Sequence, residues 1–212
     1  MNSPEITVII INYNGGAFLQ EAVNSLGRQT FQNFELIVLD NASTDGSADR
    51  LNLSGVPTGQ LIRSAENLGF AAGNNRAAEN ARGKWLALLN PDTVAAPDWL
   101  EKLVEATRRH PECRTFTSAQ IDLNAPEYLD GTGDCYSVYG IPWRGGFGHP
   151  IADLPASGWC FSACGAAAMY DLALFRQLGG FDERFFCYCE DVDLGFRLQL
   201  SGYDCRFAKE AV

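Results

Sequence analysis

Carboxylates, amides and hydroxyls gather in this sequence into four short clusters, and each suggests a chemistry. The densest is Phe185-Phe186-Cys187-Tyr188-Cys189-Glu190-Asp191-Val192-Asp193-Leu194, three carboxylates in four positions with Arg197 one turn on. At a helix start such a set gains from the macrodipole, so capping alone would account for it. The flanking aromatics suggest more, because a carboxylate beside Phe185, Phe186 and Tyr188 is expected to lose water and gain the raised pKa of a general base. Asp191 is the candidate base, and Asp193 is expected to brace the helix through Arg197. A second cluster, Asp40-Asn41-Ala42-Ser43-Thr44-Asp45-Gly46, has the composition of a turn and N-cap, or else places the Asp40 carboxylate to accept from a base or ribose. The third, Asn90-Pro91-Asp92, either ends a strand in a proline turn or offers oxygen ligands to Mg²⁺ or Mn²⁺ that also holds a diphosphate. In the fourth, Asn67-Leu68-Gly69-Phe70-Ala71-Ala72-Gly73-Asn74-Asn75-Arg76, Gly69 permits a tight entry into a helix. The backbone N–H groups of that helix would face a phosphate, or its small residues would simply pack it on a sheet.

These clusters need elements to hold them. Ile6 to Ile11 and Phe34 to Leu39 are apolar runs ending in Asn12 and Asp40, a pattern that suits strands buried on both faces. Between them Ala17 to Gln29 has helical spacing, which makes a βαβ unit. The pattern continues with a helix from about Asp45, a strand near Gln60 to Arg63, a helix from Phe70 to Ala81 and a strand Trp85 to Leu89. A helix near Pro97 to Arg109 follows, then an aperiodic Gly- and aromatic-rich stretch, Ile121 to Trp159, expected to face an acceptor and to contain a mobile loop. Ala166 to Tyr170 reads as a strand, with helices at Leu172 to Leu178 and Val192 to Leu200. The expected fold is a twisted, mainly parallel α/β sheet flanked by helices, and in such sheets ligands bind beyond the carboxyl ends of the strands, where the polar clusters fall.

With 212 residues, 46% of them hydrophobic and 20% charged, the chain has the make-up of one folded domain. A net charge of −10 leaves no positive field for nucleic acid. The longest uncharged stretch, Leu154 to Tyr170, is broken by Pro155, Ser157, Gly158, Ser162 and Gly165, so no spanning helix is expected. The start of the chain has no basic lead or cleavage site of a signal peptide, which points to the cytoplasm, with peripheral association at the inner face of the membrane left open. Seven cysteines without a CxxC pair read as reduced, packed thiols, and neither His110 nor His149 has companions at metal-ligand spacing.

Taken in order, five segments resemble the family 2 glycosyltransferases of the GT-A fold, in particular the bacterial rhamnosyltransferase-like members. They are Val8-Ile9-Ile10-Ile11-Asn12-Tyr13-Asn14, Val38 to Gly46, Asn67 to Asn74, Asn90-Pro91-Asp92, and Gly179-Gly180-Phe181-Asp182-Glu183 leading into Glu190-Asp191-Val192-Asp193-Leu194. The resemblance implies one domain over residues 1–212, with a nucleotide-sugar half (about 1–93) and an acceptor and base half (about 94–212). It implies that Asn12, Tyr13 and Asp40 hold base and ribose, that Asp92 meets a Mg²⁺ or Mn²⁺ ion, and that Asp191 is the base. Asn14, Asn41, Asn67, Gly69, Arg76 and Asn90 join the donor-binding set, and Trp159, Gly165 and Glu190 the acceptor side. Asn90 stands where the family's DxD-type motif has its first Asp, and the chain ends at Val212, before the place where many relatives supply a His, so a truncated chain is expected. The implied reaction is inverting transfer from a nucleotide diphosphate sugar (dTDP-, UDP- or GDP-linked) to a hydroxyl of a glycan or lipid-linked glycan in cell-surface polysaccharide synthesis. Two alternatives stay open. A carbohydrate-binding module would stack sugars on Tyr139, Trp143 and Trp159. An NAD-dependent oxidoreductase would use Asp40, although Asn12-Tyr13-Asn14-Gly15-Gly16 is no GxGxxG.

Overall fold

A computed structural model describes residues 3–212. The first half is built from β1 (Ile6–Asn12), α1 (Phe18–Gly27), β2 (Phe34–Asp40), β3 (Gly59–Arg63), α2 (Gly69–Ala78) and β4 (Trp85–Leu89). The second half runs through α3 (Trp99–Arg109), β5 (Thr115–Ser118), β6 (Gln120–Ile121), β7 (Leu129–Gly131), β8 (Asp134–Tyr136), β9 (Pro142–Arg144) and β10 (Gly158–Cys160). It closes with β11 (Ala167–Asp171), α4 (Leu172–Gln177), α5 (Glu190–Leu200) and β12 (Cys205–Ala208). Strands of both halves enter one eight-stranded sheet in the order β10-β12-β5-β11-β4-β1-β2-β3. β1, β2, β3 and β4 run parallel, β12 is parallel to β5, and β11 is antiparallel to both β4 and β5.

The apolar runs are continuous because both faces of the sheet are covered. Ile6, Val8 and Ile10 join Leu19 of α1 and Trp99 of α3 in one core, while Ile9 and Ile11 join Ala71 of α2, Phe175 of α4 and Leu194 of α5 in the other. Since β11 runs against β4, its amino end lies at the carboxyl end of β4, and the Asn90 N–H donates to the Ala166 carbonyl at 3.0 Å. The segment before β11 is thereby brought to the edge of the sheet where β1, β2 and β4 deliver their polar residues.

Two expectations change. No helix begins at Asp45: the chain turns there because Asp45 accepts from the Ser47 backbone N–H (2.9 Å) and hydroxyl (2.6 Å), and Gly46 takes φ +72°. Short polar side chains that bond their own backbone compete with the helix ladder. The stretch 121–159 is folded into a β8–β9 hairpin, β7 and β10, whose three-residue strands are too short to carry a visible period. No helix among the described residues is long and apolar enough to cross a membrane.

Candidate active site

At the carboxyl edge, β1 and β2 are in register so that Asn12 faces Asp40 across the ladder. The buried Asn12 amide donates to Asp40 Oδ1 (2.7 Å), Ser43 Oγ (3.0 Å) and Ser47 Oγ (2.9 Å), and its oxygen accepts from Gly15 N–H (3.2 Å). Asn41 is also inward, donating to the Gly69 carbonyl (2.9 Å) and so tying the β2 loop to the start of α2. Asn14, at φ +53°, accepts from Thr44 N–H at 2.8 Å. These amides hold three loops together, and Tyr13, 54% exposed, stands open at the surface beside the exposed Asn14. Asn67 accepts from Gly69 N–H (3.0 Å) in an Asx turn.

Gly69 is required for close approach: at φ +79° a Cβ would fall 2.5 Å from the Phe186 carbonyl oxygen. That oxygen accepts from Phe70 N–H (2.7 Å) and Ala71 N–H (3.1 Å), so the N–H groups expected to meet a phosphate dock the aromatic loop instead. Arg76 lies seven residues further along α2, about 10 Å down its axis, paired with Glu79 at 2.9 Å and apart from the other candidates.

On the turn after β4, Asn90 is held through its backbone while the Asp92 carboxylate stands exposed. No group of three or more His, Cys, Asp or Glu suited to a metal occurs among the described residues. One free carboxylate beside an amide nevertheless fits Mg²⁺ or Mn²⁺ bound mainly by substrate phosphates, because such ions keep most of their coordination for water and phosphate oxygens.

The carboxylates of α5 are differently placed. Asp193 pairs with Arg197 at 2.8 Å, and Arg197 also donates to the Leu178 (2.8 Å) and Gly180 (2.7 Å) carbonyls, which fixes the helix to the segment after α4. Asp191 turns the other way, accepting from Gly165 N–H at 2.8 Å and from Val192 N–H at 2.8 Å. Burial raises its carboxyl above the ordinary range, against the two backbone donors that favour the charged form. Glu190 is buried with Oε2 unpartnered, and burial first and Asp191 second push it up to about 7.

The loss of water has another source than expected. Phe186 (51%) and Tyr188 (81%) are exposed, in a loop where Phe186, Tyr188 and Cys189 all take positive φ. Asp191 rests instead on the buried segment 162–165, with the Phe70 ring nearby: a Cβ at Gly165 would lie 3.1 Å from that ring and 3.4 Å from Asp191 Oδ2.

Sequence reasoning missed Asp134. It is buried on β8, accepts from the Ser162 hydroxyl at 2.9 Å, and is pushed up to about 7 by burial and by Asp191. A lone Asp in an aperiodic stretch gave no signal; only the bridge that pairs Asp134 with Ser162 brings it here. Asp134 also lines a cavity of about 280 Å³ with Trp159, Tyr136 and Phe161. Trp159 is 62% exposed, and Tyr136 stacks on Phe161 with centroids 4.6 Å apart.

Residues 7–179 match the profile of "Glycosyl transferase family 2". An N-acetylglucosaminyl-diphospho-decaprenol L-rhamnosyltransferase of Mycobacterium tuberculosis (strain ATCC 25618 / H37Rv) is 27% identical over 224 residues, 93% of this chain and 71% of that protein. Among solved structures, the mannosyltransferase PcManGT from Pyrobaculum calidifontis in complex with GDP-Man and Mn²⁺ superposes with a TM-score of 0.71 at 20% identity, over 100% of this chain and 56% of that one. TarS 1-349 of S. aureus in complex with UDP gives 0.71 at 18% identity, over 98% and 59%. The chain thus spans little more than half the length of these two solved proteins, and its sheet and flanking helices are those of the GT-A glycosyltransferases. On the match over residues 7–179, this chain belongs to glycosyltransferase family 2.

Proposed function

We propose that the protein transfers a sugar, rhamnose by analogy with the mycobacterial relative, from a nucleotide diphosphate donor to a hydroxyl of a glycan or lipid-linked glycan, with inversion. The observation that carries this reading is Asp191: a partly buried carboxylate of raised pKa, oriented by the Gly165 N–H at the carboxyl edge of the sheet. The acceptor hydroxyl gives its proton to Asp191 as its oxygen bonds to the anomeric carbon, and the bond from that carbon to the diphosphate breaks on the opposite side. Asp40 and Tyr13 face base and ribose, with Asn12 and Asn41 fixing the loops behind them. A Mg²⁺ or Mn²⁺ ion, when bound, would rest on Asp92 and supply positive charge to the diphosphate. Trp159, beside the cavity that Asp134 lines, offers an apolar face to the acceptor sugar. The two halves, 1–93 and 94–212, divide donor from acceptor, and the reaction is placed in the cytoplasm at the inner face of the membrane, where a lipid-linked acceptor is reached. Support comes from the two solved proteins of like fold, one in complex with GDP-Man and Mn²⁺ and the other with UDP.

A thermal-shift panel of dTDP-, UDP- and GDP-sugars, with and without Mn²⁺, tests the reading. One donor class is expected to stabilise the protein by about 2.7 kcal/mol at 100 times its Kd, and only with the metal. No shift with any donor at saturating concentration would overturn it.

A further inference from the structure

The three-residue strand β10 lies at the edge of the sheet with β12 as its neighbour. In that antiparallel pairing Cys160 stands directly opposite Cys205. Directly opposed residues share one face of the sheet with Cα atoms about 4.5–5.5 Å apart, and a disulfide spans about 4.4–6.8 Å between Cα atoms. The register alone therefore brings the two backbones within reach of a bond. The side chains go further, since the two sulfurs are hydrogen-bonded at 3.4 Å. They differ in access. Cys205 is 3% exposed and belongs to the core formed with Leu194 and Leu198 of α5, whereas Cys160 is half-buried and lines the cavity of about 280 Å³ beside Trp159 and Gly133.

We propose that Cys160 and Cys205 form a redox site: hydrogen peroxide, small enough to enter the cavity, oxidises them to a disulfide within the folded protein, and a dithiol reductant reopens it. The Cys160 sulfur attacks one oxygen of the peroxide, the O–O bond breaks, and water leaves as Cys160 becomes a sulfenic acid. The Cys205 sulfur then attacks the Cys160 sulfur, the S–O bond breaks, and the departing hydroxide takes the Cys205 proton as a second water. Two electrons pass from the two thiols to one peroxide. The order of events follows from burial. Burial first, and the hydrogen bond with Cys160 next, hold the Cys205 thiol well above its ordinary value, so it stays protonated and resolves the sulfenic acid, while Cys160 on the cavity wall meets the oxidant. Cys135 lines the same cavity and is the rival partner, but its place on β8 is in register with Trp143 of β9. Closing the bond ties β10, which carries Trp159, to β12, and makes a ring over residues 161–204 that holds Gly165 and Asp191. The wall offered to the acceptor sugar and the segment that seats the base are thereby held by one clasp.

The test treats the full chain with hydrogen peroxide, without donor or metal, so its outcome is independent of the transfer reaction. Remaining thiols are alkylated and the peptides read by mass spectrometry. A Cys160–Cys205 linked peptide is expected in the wild type, together with recovery of both thiols by dithiothreitol. In Cys205→Ser the Cys160 sulfenic acid has no partner and should be trapped by dimedone, whereas in Cys160→Ser the Cys205 side chain should remain a thiol. The wild-type result stands without the variants. The oxidised wild type should also have a higher urea midpoint than the reduced protein, because the bond constrains the unfolded chain over residues 161–204, and Cys160→Ser treated alike should show no rise. The exposed Cys187 and Cys189 gauge the dose. If they are oxidised while Cys160 and Cys205 remain thiols, or if Cys160 is joined to Cys135, the inference is overturned. A cross-linked form with a lower midpoint than the reduced protein overturns it equally, since the bond would then form only by parting β10 from β12.

Discussion

Gly195→Ala puts two effects of opposite sign against each other. Alanine in a helix interior is favoured over glycine by about 1 kcal/mol, so propensity alone says that the variant is more stable. The packing says the reverse. The new Cβ would meet Ser162 Cβ at 2.2 Å, Cα at 3.1 Å and Oγ at 3.2 Å, and because the nearest atom is Cβ itself, no rotation of the serine relieves the contact. Ser162 is fully buried, and α5 must move outward by about 1.5 Å to restore ordinary carbon contact. Overpacking of this kind costs about 1–3 kcal/mol, so against the gain of about 1 kcal/mol the expected balance runs from about zero to a net loss of about 2 kcal/mol. The same displacement draws Asp191 away from Gly165 N–H, and turnover should fall with donor affinity unchanged. Urea titration gives the stability, and a cycle with Ser162→Gly, which removes the opposing Cβ, gives the coupling; recovery of at least about 1 kcal/mol is expected. A Gly195→Ala protein that is about 1 kcal/mol more stable than the wild type and turns over normally would refute the argument.

Three further outcomes follow from particular contacts. Asp92→Ala is expected to abolish Mn²⁺-dependent donor binding by isothermal titration, while Asn90→Asp binds as well or more tightly, since it adds a hard oxygen ligand. Gly69→Ala, which forces a side chain into φ +79° against the Phe186 carbonyl, should cost about 2–4 kcal/mol in a urea melt through strain and two lost hydrogen bonds. Glu190 holds its proton in the folded state between its ordinary 4.5 and about 7, where the unfolded chain has lost it, so its contribution to stability is present below this window and lost as pH rises through it. Glu190→Gln should therefore have the higher urea midpoint at pH 8 and a flatter dependence between pH 5 and 7.

β1, β2 and β4 were legible because they are buried on both faces, which makes them apolar runs interrupted at Thr7 and Glu35 alone and leading to a polar residue, Asn12, Asp40 or Asn90. By contrast β5 (Thr-Phe-Thr-Ser) and β12 (Cys-Arg-Phe-Ala) are four residues each and alternate too briefly to stand out. Asp193 and Arg197 were legible from helical spacing alone, since four residues bring their side chains to one face. The environment of Asp191 was not. Its surroundings come from Gly165 and Phe70, far apart in the chain, whereas Phe186 and Tyr188, the neighbouring aromatics that suggested burial, are exposed in a loop where Phe186, Tyr188 and Cys189 take positive φ. Asp134 was invisible for the same reason: it depends on a bridge across 28 residues to Ser162.

The measurement that tests the base most directly is turnover by Asp191→Asn beside Asp193→Asn, with donor affinity determined for each. Asparagine caps a helix about as well as aspartate, so a capping role for Asp191 gives near-normal turnover and at most about 1 kcal/mol of lost stability. A base gives a rate loss on the order of 10²-fold or more with donor affinity nearly unchanged, while Asp193→Asn loses stability more than rate through its weakened pairing with Arg197. If Asp193→Asn is the inactive protein and Asp191→Asn turns over normally, the proton goes elsewhere and the account of the site is contradicted.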